Sequence, residues 1–143
     1  MIRAEESVDV RAAAEETFAY LSAIDRYPEW LPGLIEAEQT AGGSLAVGTT
    51  FRVRVAGPAG PVDATGEVTE LDAPRKLAVR ADSGPGGVAG GFELEALDDG
   101  TRIRVWMEVE LRGMYRFAEG LAAGQLRASL PGVLERLRSR LDR

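Results

Sequence analysis

The chain has 143 residues, with 17 basic and 23 acidic side chains, a net charge of −6 and 45% hydrophobic content, which suits a single domain spanning residues 1–143. It contains no cysteine and no histidine, which excludes disulfides, thiolate nucleophiles, histidine bases and Cys/His metal sites. The acidic balance opposes nucleic-acid binding. The lack of a long apolar run or signal-peptide pattern predicts a cytoplasmic protein with no integral membrane segment.

The first elements along the chain are predicted to be a strand and two short helices. Residues 2–10 alternate apolar and polar side chains, which is typical of a half-buried strand. Strict alternation turns Glu6 inward, where a buried carboxyl could serve as an acid; the alternative is an exposed glutamate at a strand edge. Residues 12–24 are rich in helix formers, and the two prolines that follow hold Tyr27 and Trp30 in a rigid aromatic corner.

From Leu34 to Leu111, apolar–polar alternation recurs in six segments separated by short turns rich in Gly and Pro. Parallel crossovers need a dozen or more residues, so these connections predict an antiparallel meander and a sheet of about seven strands. Charged residues occupy the solvent face. The predicted apolar face carries Phe51, Val53, Val55, Val62, Ala64, Val68, Leu77, Val79, Phe92, Leu94, Ala96, Ile103, Val105, Met107, Val109 and Leu111.

The last 29 residues have the composition of a long helix, but its apolar stripe changes sides. One stripe contains Met114, Phe117, Leu121, Gln125 and Ala128. The other contains Leu126, Leu130, Val133, Leu137 and Leu141. Because Pro131 lacks an N–H and its ring clashes with the preceding turn, we predict a kink or break between Gly124 and Gly132.

This order of elements resembles the SRPBCC superfamily, also called START-like or birch-pollen-allergen-like. The resemblance covers the whole chain and is carried by SVDVRAAAEETFAYLSAIDRYPEWLPGL (7–34), GEVTELDAPRKLAVR (66–80) and DDGTRIRVWMEVEL (98–111). Within the superfamily, the chain is similar to the polyketide cyclase/dehydrase-like group, with some similarity to the G subunits linked to carbon monoxide dehydrogenase. The resemblance implies an α+β helix-grip fold, in which a curved antiparallel sheet wraps around a long C-terminal helix over a cavity.

The predicted apolar face interleaves large side chains with small residues such as Ala64, Gly66, Ala81, Gly90 and Ala96, which leave room for a ligand. The alternative is that the large side chains close together as a dry core. We expect a hydrophobic ligand to contact Tyr20, Tyr27, Trp30, Phe51, Val53, Phe92, Leu94, Val105, Met107, Tyr115, Phe117, Leu121 and Gln125.

Three functions fit these residues and the resemblance. The first is a non-enzymatic protein that binds or transports a lipid, quinone or polyketide-like molecule, because the interior lacks an evident acid–base pair. The second is a polyketide aromatase/cyclase or dehydratase, as the resemblance implies. The third is recruitment of a partner enzyme or weak docking on a membrane surface through Trp106 and the Arg-rich C-terminus. No cofactor or metal is expected, and the protein is expected to be a monomer or homodimer.

Overall fold

The chain begins with a long strand that leads into two short helices. The computed structural model describes residues 2–31, 34–40, 43–56, 60–83, 86–111, 113 and 119–142. Strand β1 (Ile2–Val10) is followed by helix α1 (Ala14–Leu21) and a 3₁₀ helix (Ile24–Glu29). Two glutamates lie in the first turn of α1, where negative charge interacts favourably with the helix dipole.

Seven strands form one curved antiparallel sheet, as predicted. Their order across the sheet is β1-β7-β6-β5-β4-β3-β2, so that β2 to β7 form a meander and β1 pairs with β7. Helix α2 (Glu119–Leu141) packs against β1. The remaining strands are β2 (Leu34–Gln39), β3 (Thr50–Val55), β4 (Val62–Asp72), β5 (Lys76–Ser83), β6 (Gly86–Leu97) and β7 (Gly100–Leu111).

Cross-strand register brings the predicted apolar residues together on one face. Phe92 in β6 lies opposite Leu77 in β5 and Val105 in β7, and all three are buried. Phe92 also meets Phe18 of α1 edge to face, with ring centroids 5.7 Å apart, which ties α1 to the sheet. Ala96 departs from the prediction and is exposed, because it lies beside the turn at the end of β6.

The opposite face of the sheet carries ion pairs in the described part of the chain. Their side chains are at least partly exposed, so water screens each pair and its contribution to stability is small. This face therefore meets water, as the alternation predicts. Pairs that join neighbouring strands are Arg3–Glu108, Arg52–Glu38, Arg54–Asp63, Arg80–Glu67, Arg102–Asp9 and Arg104–Glu93.

Helix α2 is continuous from Glu119 to Leu141, so the predicted break is wrong. Pro131 is exposed, while Leu130 and Val133 are each only 1% exposed, so apolar contacts anchor the helix on both sides of the proline. One lost hydrogen bond does not outweigh that burial, at about 1.5–3 kcal/mol for each large side chain. The buried stripe is Leu126, Leu130, Val133, Leu134, Leu137 and Leu141.

Candidate functional site

An apolar cavity of about 390 Å³ lies between the buried face of the sheet and helix α2. Its volume falls in the range of about 300–1,000 Å³ that is usual for small-molecule sites. The alternative of a dry core is therefore not what the structure contains. The cavity is bordered by Tyr27, Trp30, Leu31, Leu34, Phe51, Val53, Val55, Ala56, Ala64, Leu77, Val79, Ala81, Gly86, Val88, Gly90, Gly91, Phe92, Val105, Trp106, Met107, Leu126, Ser129 and Val133.

Small residues on the buried face leave this space open. Ala64, Ala81 and Gly90 border the cavity on three neighbouring strands of the sheet, where larger side chains would fill it. Gly66 plays a different role, because a Cβ there would lie only 2.5 Å from Cζ of Phe51. The ring of Phe51 thus covers Gly66, so the glycine accommodates one wall of the site.

An aromatic corner closes one side of the cavity. The 3₁₀ helix places Tyr27 against Trp30, with ring centroids 5.4 Å apart and planes at 70°, in an edge-to-face contact. Both residues are buried, and burial raises the pKa of the Tyr27 hydroxyl well above its usual range. Tyr27 is therefore a neutral group at physiological pH, able to act as a hydrogen-bonding hydroxyl.

The Nε1 atom of Trp30 has no hydrogen-bond partner among the described residues, although it is buried and the residue is only 5% exposed. It is the one such side-chain atom in that part of the chain. Besides Tyr27, Ser129 of α2 brings a hydroxyl to the described wall, and it donates to the carbonyl of Leu126 at 2.9 Å. The site thus combines broad apolar walls with few polar groups, an arrangement suited to a mainly hydrophobic ligand.

The described side chains that border the cavity include no acid and no base. A charged ligand group would therefore lose its hydration without a compensating partner from them, which costs several kcal/mol, on the order of the penalty for any buried ion. Glu6 is exposed in β1, which confirms the alternative interpretation of that residue. In the described part of the chain, no group of three acidic residues is placed to hold a metal ion.

A larger groove of about 910 Å³ runs across strands β3 to β7 and is more open and more polar than the cavity. Charged side chains of Glu67, Arg80, Asp82, Glu108 and Glu110 border it. Arg80 pairs with Glu67 at 2.9 Å, and Glu108 pairs with Arg3, so these charges are engaged within the sheet. The apolar cavity is therefore the better candidate for small-molecule binding.

Seven of the predicted ligand-contacting residues border the cavity together. They are Tyr27, Trp30, Phe51, Val53, Phe92, Val105 and Met107. Leu94 is buried on the same face of β6 but does not border the cavity. Tyr115 and Phe117 lie outside the described residues.

Three other predicted residues point elsewhere. Leu121 is 70% exposed and Gln125 is exposed, because α2 turns its second apolar stripe toward the sheet instead of the first. The hydroxyl of Tyr20 donates to Glu29 at 3.1 Å, and the ring is not part of the cavity wall. Partial burial, followed by this hydrogen bond, raises the pKa of Tyr20.

The helix residues that do border the cavity are Leu126, Ser129 and Val133, which the sequence analysis did not include in the site. Leu126 and Val133 belong to the second stripe of α2, so the periodicity contained the signal. Ser129 follows Leu126 by three positions and lies on the same helical face. Choosing the longer stripe, which continues to the C-terminus, would have identified this wall.

The fold and the apolar cavity together define a START-like helix-grip protein, as the resemblance implied. The chain belongs to the family described as polyketide cyclase / dehydrase and lipid transport, whose model matches residues 1–142. The comparison with curated proteins returns no significant match. Among the described helices, none is long and apolar enough to cross a bilayer.

Solved structures of the same fold include bacterial proteins with low sequence identity. The Zhui aromatase/cyclase from a Streptomyces strain is 19% identical with a TM-score of 0.76, covering 99% of this chain and 93% of that one. A START superfamily protein from Mycobacterium smegmatis is 18% identical with a TM-score of 0.75, covering 97% and 96%. The di-domain aromatase/cyclase BexL is 16% identical with a TM-score of 0.73; this chain covers 46% of its length.

Proposed function

We propose that the protein binds an uncharged hydrophobic molecule, such as a lipid, quinone or polyketide-like compound, in the cavity between the sheet and α2. The observation that carries this proposal is a space of about 390 Å³ whose described bordering side chains include no charge. At about 30 Å³ per water, this space equals roughly 13 water volumes, which suits a compact ring system or a short chain. Burial of apolar surface supplies most of the binding free energy, at about 25 cal/mol per Å².

Filling the cavity tests this function. Ala64→Phe adds a ring where Ala64 borders the space, so uptake of a neutral aromatic probe such as methyl naphthyl ketone should fall at least about tenfold. Ala96→Phe is the matched control, because Ala96 is exposed and lies outside the cavity wall. Titration calorimetry measures both variants, and thermal unfolding checks that each remains folded. Equal affinity in the wild type and Ala64→Phe would exclude the cavity as the site.

A second candidate is a polyketide aromatase/cyclase, favoured by the family description and by two aromatase/cyclases among the structures of the same fold. Tyr27 and Trp30 would then hold a reactive polyketone chain while it folds and loses water. Incubation with a linear polyketone separates the two functions, because an enzyme yields a ring-closed, dehydrated product whereas a carrier returns the chain unchanged. Binding leads over catalysis here because the described cavity wall includes no acid–base pair.

The recruitment hypothesis gains no support from the residues that motivated it. Trp106 stacks under the guanidinium of Arg3, 5.0 Å from the ring centroid, as an intramolecular cation–π contact. Arg140 pairs with Glu29 at 2.8 Å, and Arg138 pairs with Asp142 at 3.4 Å. These side chains therefore have partners within the chain.

A further inference from the structure

The indole N–H of Trp30 indicates what the ligand must carry. Nearly all buried polar groups in folded proteins have a hydrogen-bond partner, and an unpaired buried donor costs about 1–3 kcal/mol. Trp30 is only 5% exposed and its Nε1 has no partner among the described residues, while the residue borders the cavity. The cavity is the space in which an acceptor can reach it.

The remaining wall determines which kind of acceptor fits. No lysine or arginine of the described residues borders the cavity, so a carboxylate or phosphate would be buried there without their countercharge. A carbonyl oxygen accepts a hydrogen bond without carrying charge. Tyr27 and Ser129 add two hydroxyls, and the oxygen of Ser129 keeps lone pairs while its proton bonds Leu126.

We infer that the ligand is a neutral carbonyl compound whose oxygen accepts a hydrogen bond from Nε1 of Trp30. This inference rests on the proposed binding function and deepens it. Trp30 is then the residue that distinguishes a ketone, quinone or ester from a hydrocarbon of the same shape. Tyr27 holds its ring by the edge-to-face contact at 5.4 Å.

Three probes of one shape test the inference. They are methyl naphthyl ketone, isopropenylnaphthalene, in which a methylene group replaces the carbonyl oxygen, and the naphthoate anion. The wild type should bind the ketone about tenfold more tightly than the hydrocarbon, because one hydrogen bond forms and one buried donor is satisfied. Naphthoate should bind at least as weakly as the hydrocarbon, because the described wall offers no cation.

Trp30→Phe should remove the preference for the ketone and leave hydrocarbon binding within about twofold, since only the hydrogen bond is lost. Tyr20→Phe is the control, because it deletes a hydroxyl outside the cavity wall and should keep the preference for the ketone. Equal binding of ketone and hydrocarbon by the wild type would overturn the inference and leave the proposed function standing. Failure of both probes to bind would contradict the proposed function itself.

A spectroscopic readout on the wild type keeps the test valid if Trp30→Phe does not fold. The chain has only two tryptophans, so two indole N–H signals are expected in a nitrogen–proton correlation spectrum. The ketone should move the Trp30 signal downfield, as a new hydrogen bond does, and the hydrocarbon should not. Ketone binding without that difference would overturn the inference.

Discussion

At the scale of single residues, buried polar groups determine where the fold is rigid and where it is open to a ligand. Thr17 and Thr101 are fully buried, and both hydroxyls donate to the carbonyl of Ala12, at 3.4 and 2.8 Å. This shared acceptor joins the start of α1 to β7. Trp30 is the opposite case, because its buried N–H finds no partner in the described part of the chain.

Thr101→Val should lower the free energy of unfolding by about 1–2 kcal/mol, because it replaces the shorter hydrogen bond to Ala12 with an isosteric methyl group. Urea denaturation measures the change. Thr40→Val is the matched control, since the Thr40 hydroxyl contacts that of Thr50 at 2.7 Å on the exposed surface and should change stability by less than about 0.5 kcal/mol. Equal effects of the two substitutions would contradict a special role for the Ala12 carbonyl.

At the scale of elements, alternation in the strands was enough to predict which residues of β3, β6 and β7 border the cavity. Phe51, Phe92 and Met107 could be assigned because each strand has one apolar face, and register then brings those faces together. The choice between the two stripes of α2 could not be predicted. Both stripes begin near the same turn, and only packing against β1 shows that Leu126 is buried while Leu121 is exposed.

Glycines in helix and sheet should respond oppositely to the same substitution. A Cβ at Gly124 or Gly132 of α2 meets nothing within 4 Å, so alanine should raise the free energy of unfolding by about 0.5–1 kcal/mol at each position. At Gly66, a Cβ would lie 2.6 Å from the carbonyl oxygen of Arg80, so alanine should lower it by about 1–3 kcal/mol. Denaturant titration of the three variants compares the signs. A stabilising Gly66→Ala would show that Phe51 and the sheet can move aside.

At the scale of the whole molecule, the two faces of the sheet have different roles. One face borders the apolar cavity, and the other carries cross-strand ion pairs that keep it in water. Hydrogen bonding to Arg104, with Lys76 nearby, holds the pKa of Glu93 below its usual value of 4.5. Arg102 similarly lowers the pKa of Asp9.

Acid should weaken the fold through these carboxylates. A group whose pKa is lower in the folded state stabilises the fold above its unfolded pKa, and that stabilisation is lost as the pH falls through the folded pKa. Glu93→Gln should therefore lower Tm at about pH 7 but leave it nearly unchanged at about pH 3, where the wild-type carboxylate is itself becoming protonated. Thermal unfolding at both values measures this.

Glu110→Gln serves as the control for the pH experiment. Glu110 lies on the same face, in β7, and makes no ion pair with any described residue. Its substitution should leave the pH dependence of Tm as in the wild type. A Glu93→Gln effect of equal size at both pH values would show that Glu93 acts through packing and not through its charge.

The most direct measurement is a crystal structure of the protein after exposure to methyl naphthyl ketone. The account predicts ligand density between the sheet and α2, bordered by Phe51, Met107 and Leu126, with the carbonyl oxygen about 3 Å from Nε1 of Trp30. A cavity closed by its own side chains, or a probe bound only on the charged outer face, would contradict it.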